Sequence, residues 1–392
     1  MTRAIHIIVT LTLFWLFSAS VSLAFQSSGK ALIIVDHATG LVLAEKNPDV
    51  PLPPASMSKI MTVFMVFEAV SDGHLALTDR LPVSADAVKY RGSSMFLKAG
   101  ERVTVEDLIR GVIVLSGNDA SAVLAEAMSP DGTEAGFARL MTTRGQEIGL
   151  TQSIFRNSNG WPHPDHRMSV RDLATVSSEI ITRFPDLYAY FGEREFAFDN
   201  RVPENRRNRN PLLTLDIGAD GLKTGYTSEA GYGLTGSAKR GNRRIVFVVT
   251  GLSNRAIREQ ESEKIINWYN FQYADKELFR SGDTVVSIPV FMGDKPKLAA
   301  TVAETVSVPV ATRSGQDTGI NANVIYDSLL ETPISKGQVV GRLEVQLQEF
   351  DTILTFPLIA NEDVGDGGFS VRMKTALANL ATKIGLDGFL DR

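Results

Sequence analysis

The sequence predicts an α+β domain, with helices packed on an antiparallel sheet, followed by a small all-β domain. Three observations lead there. Helical and strand patterns are mixed through the first two thirds, without the βαβ alternation of a parallel sheet. A helical pattern from about Ala256 to Tyr273 closes that part. Around Ser281-Gly282-Asp283 the character changes to short strand-like runs with Gly, Pro and Asp between them. The expected divisions are 1–24, 25–277, 278–366 and 367–392.

The chain has 392 residues, 44% hydrophobic and 22% charged, with no low-complexity tract, as suits one large or two ordinary domains. A net charge of −5 gives no reason to expect nucleic acid as a partner. Cysteine is absent, which rules out disulfides, thiol catalysis and cysteine-ligated metal. The five histidines contain no His-Glu-x-x-His. Their one cluster, His163-Pro164-Asp165-His166, reads as a solvated turn in a Pro-rich loop. No metal and no cofactor are expected.

In chain order, Met1-Thr2-Arg3 precedes an apolar run from Ile5 to Ala24 that ends in small residues at Ser22 and Ala24. A basic start, an apolar stretch and a small-residue ending make a secretory signal cut after Ala24; the alternative is an uncleaved membrane anchor. Either way the body is exported. Ala31–Asp36 and Leu41–Glu45 flank a His37-Ala38-Thr39-Gly40 turn and read as a hairpin. A helix apolar almost all round starts at about Ser56 and stops at Ser71-Asp72-Gly73, so it belongs inside the domain. Thr104, with Asp107 three residues on, caps the next helix, which ends at Leu115-Ser116-Gly117. Asn118-Asp119 opens another, to about Met128, and helical patterns continue over 133–148 and 170–182.

A polar loop from Phe198 to Pro211 carries Arg201, Arg206, Arg207 and Arg209 and reads as solvated. Strands then flank a Lys239-Arg240-Gly241-Asn242 turn. In the β region the expected strands are 285–290, 305–310, 339–348 and 353–359. Beyond Asp366, Met373, Ala376, Leu377, Leu380, Ala381 and Ile384 share one helical face. That segment is too short and polar to span a bilayer. It is either an interfacial anchor or a terminal helix docked on the β domain.

Ser56 and Lys59 stand three apart at the head of the buried helix, which puts a hydroxyl and an amine on one face. The spacing alone is weak: Ser27-Ser28-Gly29-Lys30 repeats it with no helix behind it. Ser116-Gly117-Asn118 follows 60 residues on, and alone reads as a glycine C-cap beside an asparagine N-cap. Lys223-Thr224-Gly225, 107 residues later, alone reads as a turn into a strand. In this order, the three make the motif set of penicillin-recognising serine acyltransferases.

The contexts Pro54-Ala55-Ser56-Met57-Ser58-Lys59-Ile60-Met61-Thr62, Leu115-Ser116-Gly117-Asn118-Asp119-Ala120 and Asp220-Gly221-Leu222-Lys223-Thr224-Gly225 narrow the likeness. They resemble the low-molecular-mass penicillin-binding proteins that act as D-alanyl-D-alanine carboxypeptidases. The resemblance covers about Leu32 to Tyr273. It implies a β-lactamase/transpeptidase-like catalytic domain with a signal peptide before it, and a small β domain and an amphipathic anchor after it. It places the protein in the periplasm, on the outer face of the inner membrane, acting on peptidoglycan stem peptides and acylated by β-lactams.

By the same resemblance, Ser56 is the nucleophile, Lys59 its base, and Ser116 the proton relay to the departing D-Ala. The oxyanion hole falls to the backbone N–H groups of Ser56 and Tyr226, with Gly225 beside them. Asn118 holds the acyl side, while Lys223, Thr224 and Arg258 address the terminal carboxylate. Serine needs such a base at neutral pH, and a lysine serves only when burial and a second cation favour its neutral form. One position departs from the family: histidine often follows Lys-Thr-Gly, and here Tyr226 does. A class A β-lactamase shares the motifs, but between Asn118 and Lys223 there is no Glu-x-x-Leu-Asn to activate a deacylating water. A transpeptidase and a non-enzymatic membrane-docked scaffold are the remaining alternatives.

Overall fold

The structure, a computed structural model, describes residues 25–312, 319–326, 329–350, 352–369, 371 and 373. The expected signal segment and nearly all of the expected terminal helix lie outside the described residues. The catalytic-type part runs β1 (Ala31–Asp36), β2 (Val42–Lys46), α1 (Lys59–Ser71), β3 (Arg80–Pro82), β4 (Arg102–Thr104), α2 (Val105–Ile113), α3 (Asn118–Met128) and α4 (Glu134–Glu147). It continues through α5 (Val170–Arg183), α6 (Pro185–Tyr188), β5 (Ala219–Thr227), β6 (Gly231–Arg240), β7 (Arg243–Leu252) and α7 (Arg255–Gln272).

Five of these strands form one antiparallel sheet in the order β2-β1-β7-β6-β5. The two-residue pleat explains why β1 is apolar without interruption. Ala31 and Ile33 point into a core shared with α1 to α5, while Leu32 and Ile34 point into a second core under α7. Strand β7 divides in the same way, Val246 and Val248 to one face and Ile245, Phe247 and Val249 to the other. A sheet covered on both faces leaves no position for polar alternation. The β6–β7 turn is the two-residue Gly241-Asn242 loop, with Gly241 at φ +59°, as the hairpin signal required.

Helix α1 sits in the middle of the helical layer, with Ile60, Met61, Val63, Phe64, Val66 and Phe67 all buried. Burying each large apolar side chain is worth roughly 1.5–3 kcal/mol. That packing locks the helix whose N-terminal end carries Lys59. Thr104 caps α2 by accepting from the Asp107 N–H, as its sequence context predicts.

Three local expectations are corrected. Ser56 lies in a 3₁₀ turn, Ala55–Ser58, and the α-helix begins only at Lys59. At the α2–α3 junction the left-handed residue is Ser116, at φ +60°, whereas Gly117 has φ −58° and is itself the N-cap of α3. Of the histidine cluster His163, Pro164 and Asp165 are solvated, but His166 is buried beneath the site.

The β part contains β8 (Tyr273–Phe279), β9 (Thr284–Phe291), β10 (Lys297–Val302), β11 (Val306–Ala311), β12 (Ile320–Ile325), β13 (Leu330–Glu331), β14 (Val339–Leu347) and β15 (Thr352–Ala360). A six-stranded sheet, β12-β14-β15-β10-β9-β13, stands with a two-stranded one, β11-β8. The division expected between residues 277 and 278 falls inside β8, which continues directly from α7. Arg243 of β7 ties the two parts together. It pairs with buried Asp36 and at 3.0 Å with Asp275 of β8.

Candidate active site

Three elements converge on one cleft of about 730 Å³, lined among others by Ser56, Ser116, Thr224, Gly225, Tyr226 and Arg258. The 3₁₀ turn before α1 supplies Ser56, the α2–α3 junction supplies Ser116 and Asn118, and the edge strand β5 supplies 223–226. Lys59, Asn118 and Lys223 stand directly behind the lining, buried and hydrogen-bonded to it.

Local backbone explains how they come so close. Ala55, just before Ser56, has φ +48°, and Ser116 has φ +60°. Both are left-handed conformations that L-residues avoid, at a cost of roughly 1–3 kcal/mol each. Gly160 packs against that same turn at φ +78°, and a Cβ there would fall 1.9 Å from the Ala55 carbonyl oxygen. Gly225 does the same from β5, where a Cβ would lie 2.9 Å from the Pro54 carbonyl oxygen. The glycine of Lys-Thr-Gly is therefore what lets the strand lie against the serine turn.

Lys59 Nζ donates to the Asn159 carbonyl at 2.6 Å and to Asn118 Oδ1 at 2.7 Å, and lies 3.1 Å from Ser56 Oγ. Asn118 is oriented by its own amide, which donates to the Arg91 carbonyl at 2.8 Å. Lys59 is wholly buried, and that burial, with the Arg209 guanidinium nearby, lowers its pKa to about 7 against the pull of Glu134 and Asp119. Lys223 Nζ donates to Ser116 Oγ at 2.9 Å. Burial first, then Lys59, Arg209 and Arg258, hold its pKa well below the usual lysine value.

Supporting groups hold these in place. Asp119 accepts from Ser94 Oγ at 2.6 Å and from the Met95 and Leu97 N–H groups, fixing the loop that rims the cleft. Glu134 accepts from the Ser158 N–H at 2.9 Å and from Asn159 Nδ2, fixing the carbonyl that Lys59 uses. Arg258 is buried with its Nε unpartnered, and it forms no ion pair among the described residues. Burial, then Arg255, lowers its pKa to about 10. Tyr226 is half exposed and packs on Tyr232, ring centroids 4.2 Å apart.

Sequence reasoning missed Asn159, Glu134, Gly160 and Arg209. The solvated reading of the 198–211 loop holds for Arg206, Arg207 and Arg209, all exposed, and needs correction at Arg201. Arg201 is clamped to both carboxylate oxygens of Glu101 at 2.8 and 2.7 Å, and Arg209 lines the cleft and bonds Ser93. By contrast, the duplicate Ser27-x-x-Lys30 stays outside: Ser27 bonds Glu261, and Lys30 is exposed.

The family model described as D-alanyl-D-alanine carboxypeptidase matches residues 18–254. The chain belongs to the D-alanyl-D-alanine carboxypeptidase family. Residues 273–366 match the model of the penicillin-binding protein 5 C-terminal domain. The D-alanyl-D-alanine carboxypeptidase DacC of Escherichia coli is 38% identical over 351 residues, 88% of this chain and 86% of that protein. Penicillin-binding protein 5 of Haemophilus influenzae superposes with a TM-score of 0.76 at 32% identity, over 87% of this chain and 99% of that one. Penicillin-binding protein D2 of Listeria monocytogenes, solved in its ampicillin-bound form, superposes with a TM-score of 0.56 at 28% identity, over 62% of this chain and 98% of that one. The fold is thus a mixed helix and sheet penicillin-binding protein fold with an all-β domain behind it.

Proposed function

We propose that this enzyme removes the terminal D-Ala from peptidoglycan stem peptides through an acyl-enzyme on Ser56. The observation that carries the reading is the buried Lys59 amine, 3.1 Å from Ser56 Oγ and with its pKa lowered to about 7. Ser56 Oγ attacks the carbonyl carbon of the penultimate D-Ala while its proton passes to Lys59 Nζ. The C–N bond then breaks, and Ser116 Oγ–H supplies the proton that the departing amine needs, with Lys223 behind it to replace that proton. Water hydrolyses the ester and frees Ser56. The N–H groups of Ser56 and Tyr226 hold the oxyanion; losing one such donor typically costs about 100- to 1000-fold in rate.

Asn118 takes the acyl side, and Lys223, Thr224 and Arg258 take the terminal carboxylate. A β-lactam meets the same serine, and its opened ring stays tethered to the acyl group. The test is release of D-Ala from a peptide ending in D-Ala–D-Ala, together with covalent penicillin labelling. Ser56→Ala should lose both, and labelling that survives in the variant sinks the assignment.

We place the protein in the periplasm, with 1–24 as its signal segment and 367–392 as an interfacial anchor on the inner membrane. Among the described residues no helix is long and apolar enough to cross a membrane. The apolar face of Met373, Ala376, Leu377, Leu380, Ala381 and Ile384 supports the anchor. Removing residues 369–392 should move the protein from the membrane pellet to the soluble fraction.

A further inference from the structure

The β part has two ends, and they differ in what they meet. At one, Phe350 of the β14–β15 turn packs against the core under α7. Leu41, just before β2, is buried in the β core in return. The opposite end lies the length of β14 away, about 30 Å. Antiparallel register brings the end of β12 beside the start of β14 there, since Ile325 pairs with Arg342. At that end the apolar side chains face solvent. Ile325 and Tyr326 are about two-fifths exposed, Leu329 half, and Val339 63%.

These four residues make one patch. A Cβ added at Gly341 would lie 3.1 Å from that of Tyr326, and Val339 is two residues from Gly341. Leu329 is three residues beyond Tyr326 in the chain. Exposed apolar residues standing singly are ordinary, and Ile353, at the catalytic end, is one. Four grouped at the end away from the catalytic part mark a surface that something covers. The same end releases the chain toward its terminal segment. Thr332 Oγ1 donates to Asp366 Oδ1 at 2.6 Å, and the Gly367 N–H donates to the Met292 carbonyl. Phe369 and Met373 follow, three-quarters and half exposed. The apolar face that starts at Met373 therefore leaves from the rim of the patch. Exposed charges around it are of both signs, Lys336 and Arg342 with Glu331 and Asp363, so attraction to anionic lipid is not its basis. Aliphatic side chains beside a tyrosine suit the boundary of headgroups and acyl chains, where the ring keeps one end dry and one wet.

We infer that this end of the β part is a second membrane contact, with Ile325, Tyr326, Leu329 and Val339 entering the lipid interface beside the terminal anchor. The inference rests on the anchor reading above and adds a folded surface to it. A weak second contact multiplies the affinity of the first when both reach the same membrane. The absence of cysteine makes the test direct. The full chain receives one cysteine, by Val339→Cys, Leu329→Cys or, as control, Ile353→Cys, and is labelled with an environment-sensitive fluorophore. Vesicles of phosphatidylcholine with phosphatidylglycerol should shift the emission to the blue at positions 339 and 329 and leave 353 unchanged. Leu329→Asp combined with Val339→Asp should weaken co-sedimentation of the full chain with those vesicles at least tenfold, with penicillin acylation unchanged. Probes at 339 and 329 that stay unshifted on protein that co-sediments overturn the inference and leave the anchor standing. An equal shift at 353 overturns it as non-specific contact. Probes already blue-shifted without vesicles, and released by removing residues 369–392, overturn it too, because the terminal segment then covers the patch. A full chain that does not co-sediment at all overturns the anchor reading, and the inference with it.

Discussion

Lys59 Nζ donates to Asn118 Oδ1 at 2.7 Å, and this bond makes the neutral form of the lysine affordable in a buried site. A neutral amine has two N–H groups and one lone pair. Asn118 Oδ1 and the Asn159 carbonyl accept the two N–H groups, leaving the lone pair for the Ser56 hydroxyl proton. Deprotonation therefore strands no hydrogen-bonding group.

The pH dependence follows. Lys59 must be neutral to accept the proton, and its pKa is lowered to about 7. The second-order rate of penicillin acylation should fall as pH drops through about 7, approaching tenfold per unit well below it. Asn118→Asp would put an anion against the amine and raise its pKa by about 1–3 units. The acid limb should then move to higher pH, which a pH profile of labelling rate measures directly. A limb that stays put would separate it from Lys59.

Gly160 allows a sharper test, because two costs act there at once. Its φ is +78°, and an added Cβ would collide with the carbonyl carbon and oxygen of Ala55. Gly149, at φ +88°, has nothing within 4 Å of an added Cβ and so isolates the conformational cost alone. Gly149→Ala should lose only about 1 kcal/mol of stability and keep its activity. Gly160→Ala must displace the turn that carries Ser56, so acylation should fall at least 100-fold. Comparable acylation by the two variants would show that the turn tolerates the shift.

Arg258 sets activity against stability. It is buried without an ion pair among the described residues, a cost the fold bears until an anion arrives. Arg258→Leu should weaken kcat/KM for the peptide about 10- to 100-fold, matching the roughly 1.5–3 kcal/mol of a hydrogen bond to a charged group. The same variant should melt at a higher temperature than the wild type. A peptide amide lacking the terminal carboxylate should lose little further when Arg258 is replaced.

How much of this was legible in the sequence depended on how local the cause was. Helix α1 and strands β1 and β7 are written in their own apolar spacing, and the Thr104 cap in its neighbours. Ser56, Ser116 and Lys223 are widely separated in the chain, yet each carries a short motif of its own. Asn159 acts through its backbone carbonyl, which no residue type announces. Arg209 sits among other arginines, and only the fold separates it from those paired with Glu195. Strand β8 was missed because its sequence is charged and exposed and follows α7 without a turn residue. Strand β12 is a short edge strand whose apolar face, Ile320, Ala322 and Val324, is interrupted by Asn321 and Asn323, residues that strands disfavour.

His166 was the other hidden residue, and its burial gives a stability prediction. Its Nδ1 accepts from the Arg156 N–H at 3.2 Å, so the ring proton is on Nε2, which faces Ser58 Oγ at 2.7 Å. The neutral ring thus braces the serine turn from below. Burial is the main reason its pKa falls from 6.5 to about 3. Between those values the unfolded chain binds the proton and the native protein does not, so stability declines as pH falls from about 6.5 toward 3. At pH 5 the loss from this one group is about 2 kcal/mol, or roughly 4–8 °C in melting temperature for a domain of this size. His166→Gln removes the titrating group while keeping polar atoms near Ser58. The variant should melt lower than the wild type at pH 7.5, yet lose less between pH 7.5 and 5, because only the wild type must hold a histidine neutral there. Parallel declines in melting temperature would mean that His166 takes up its proton in the native protein as readily as in the unfolded chain.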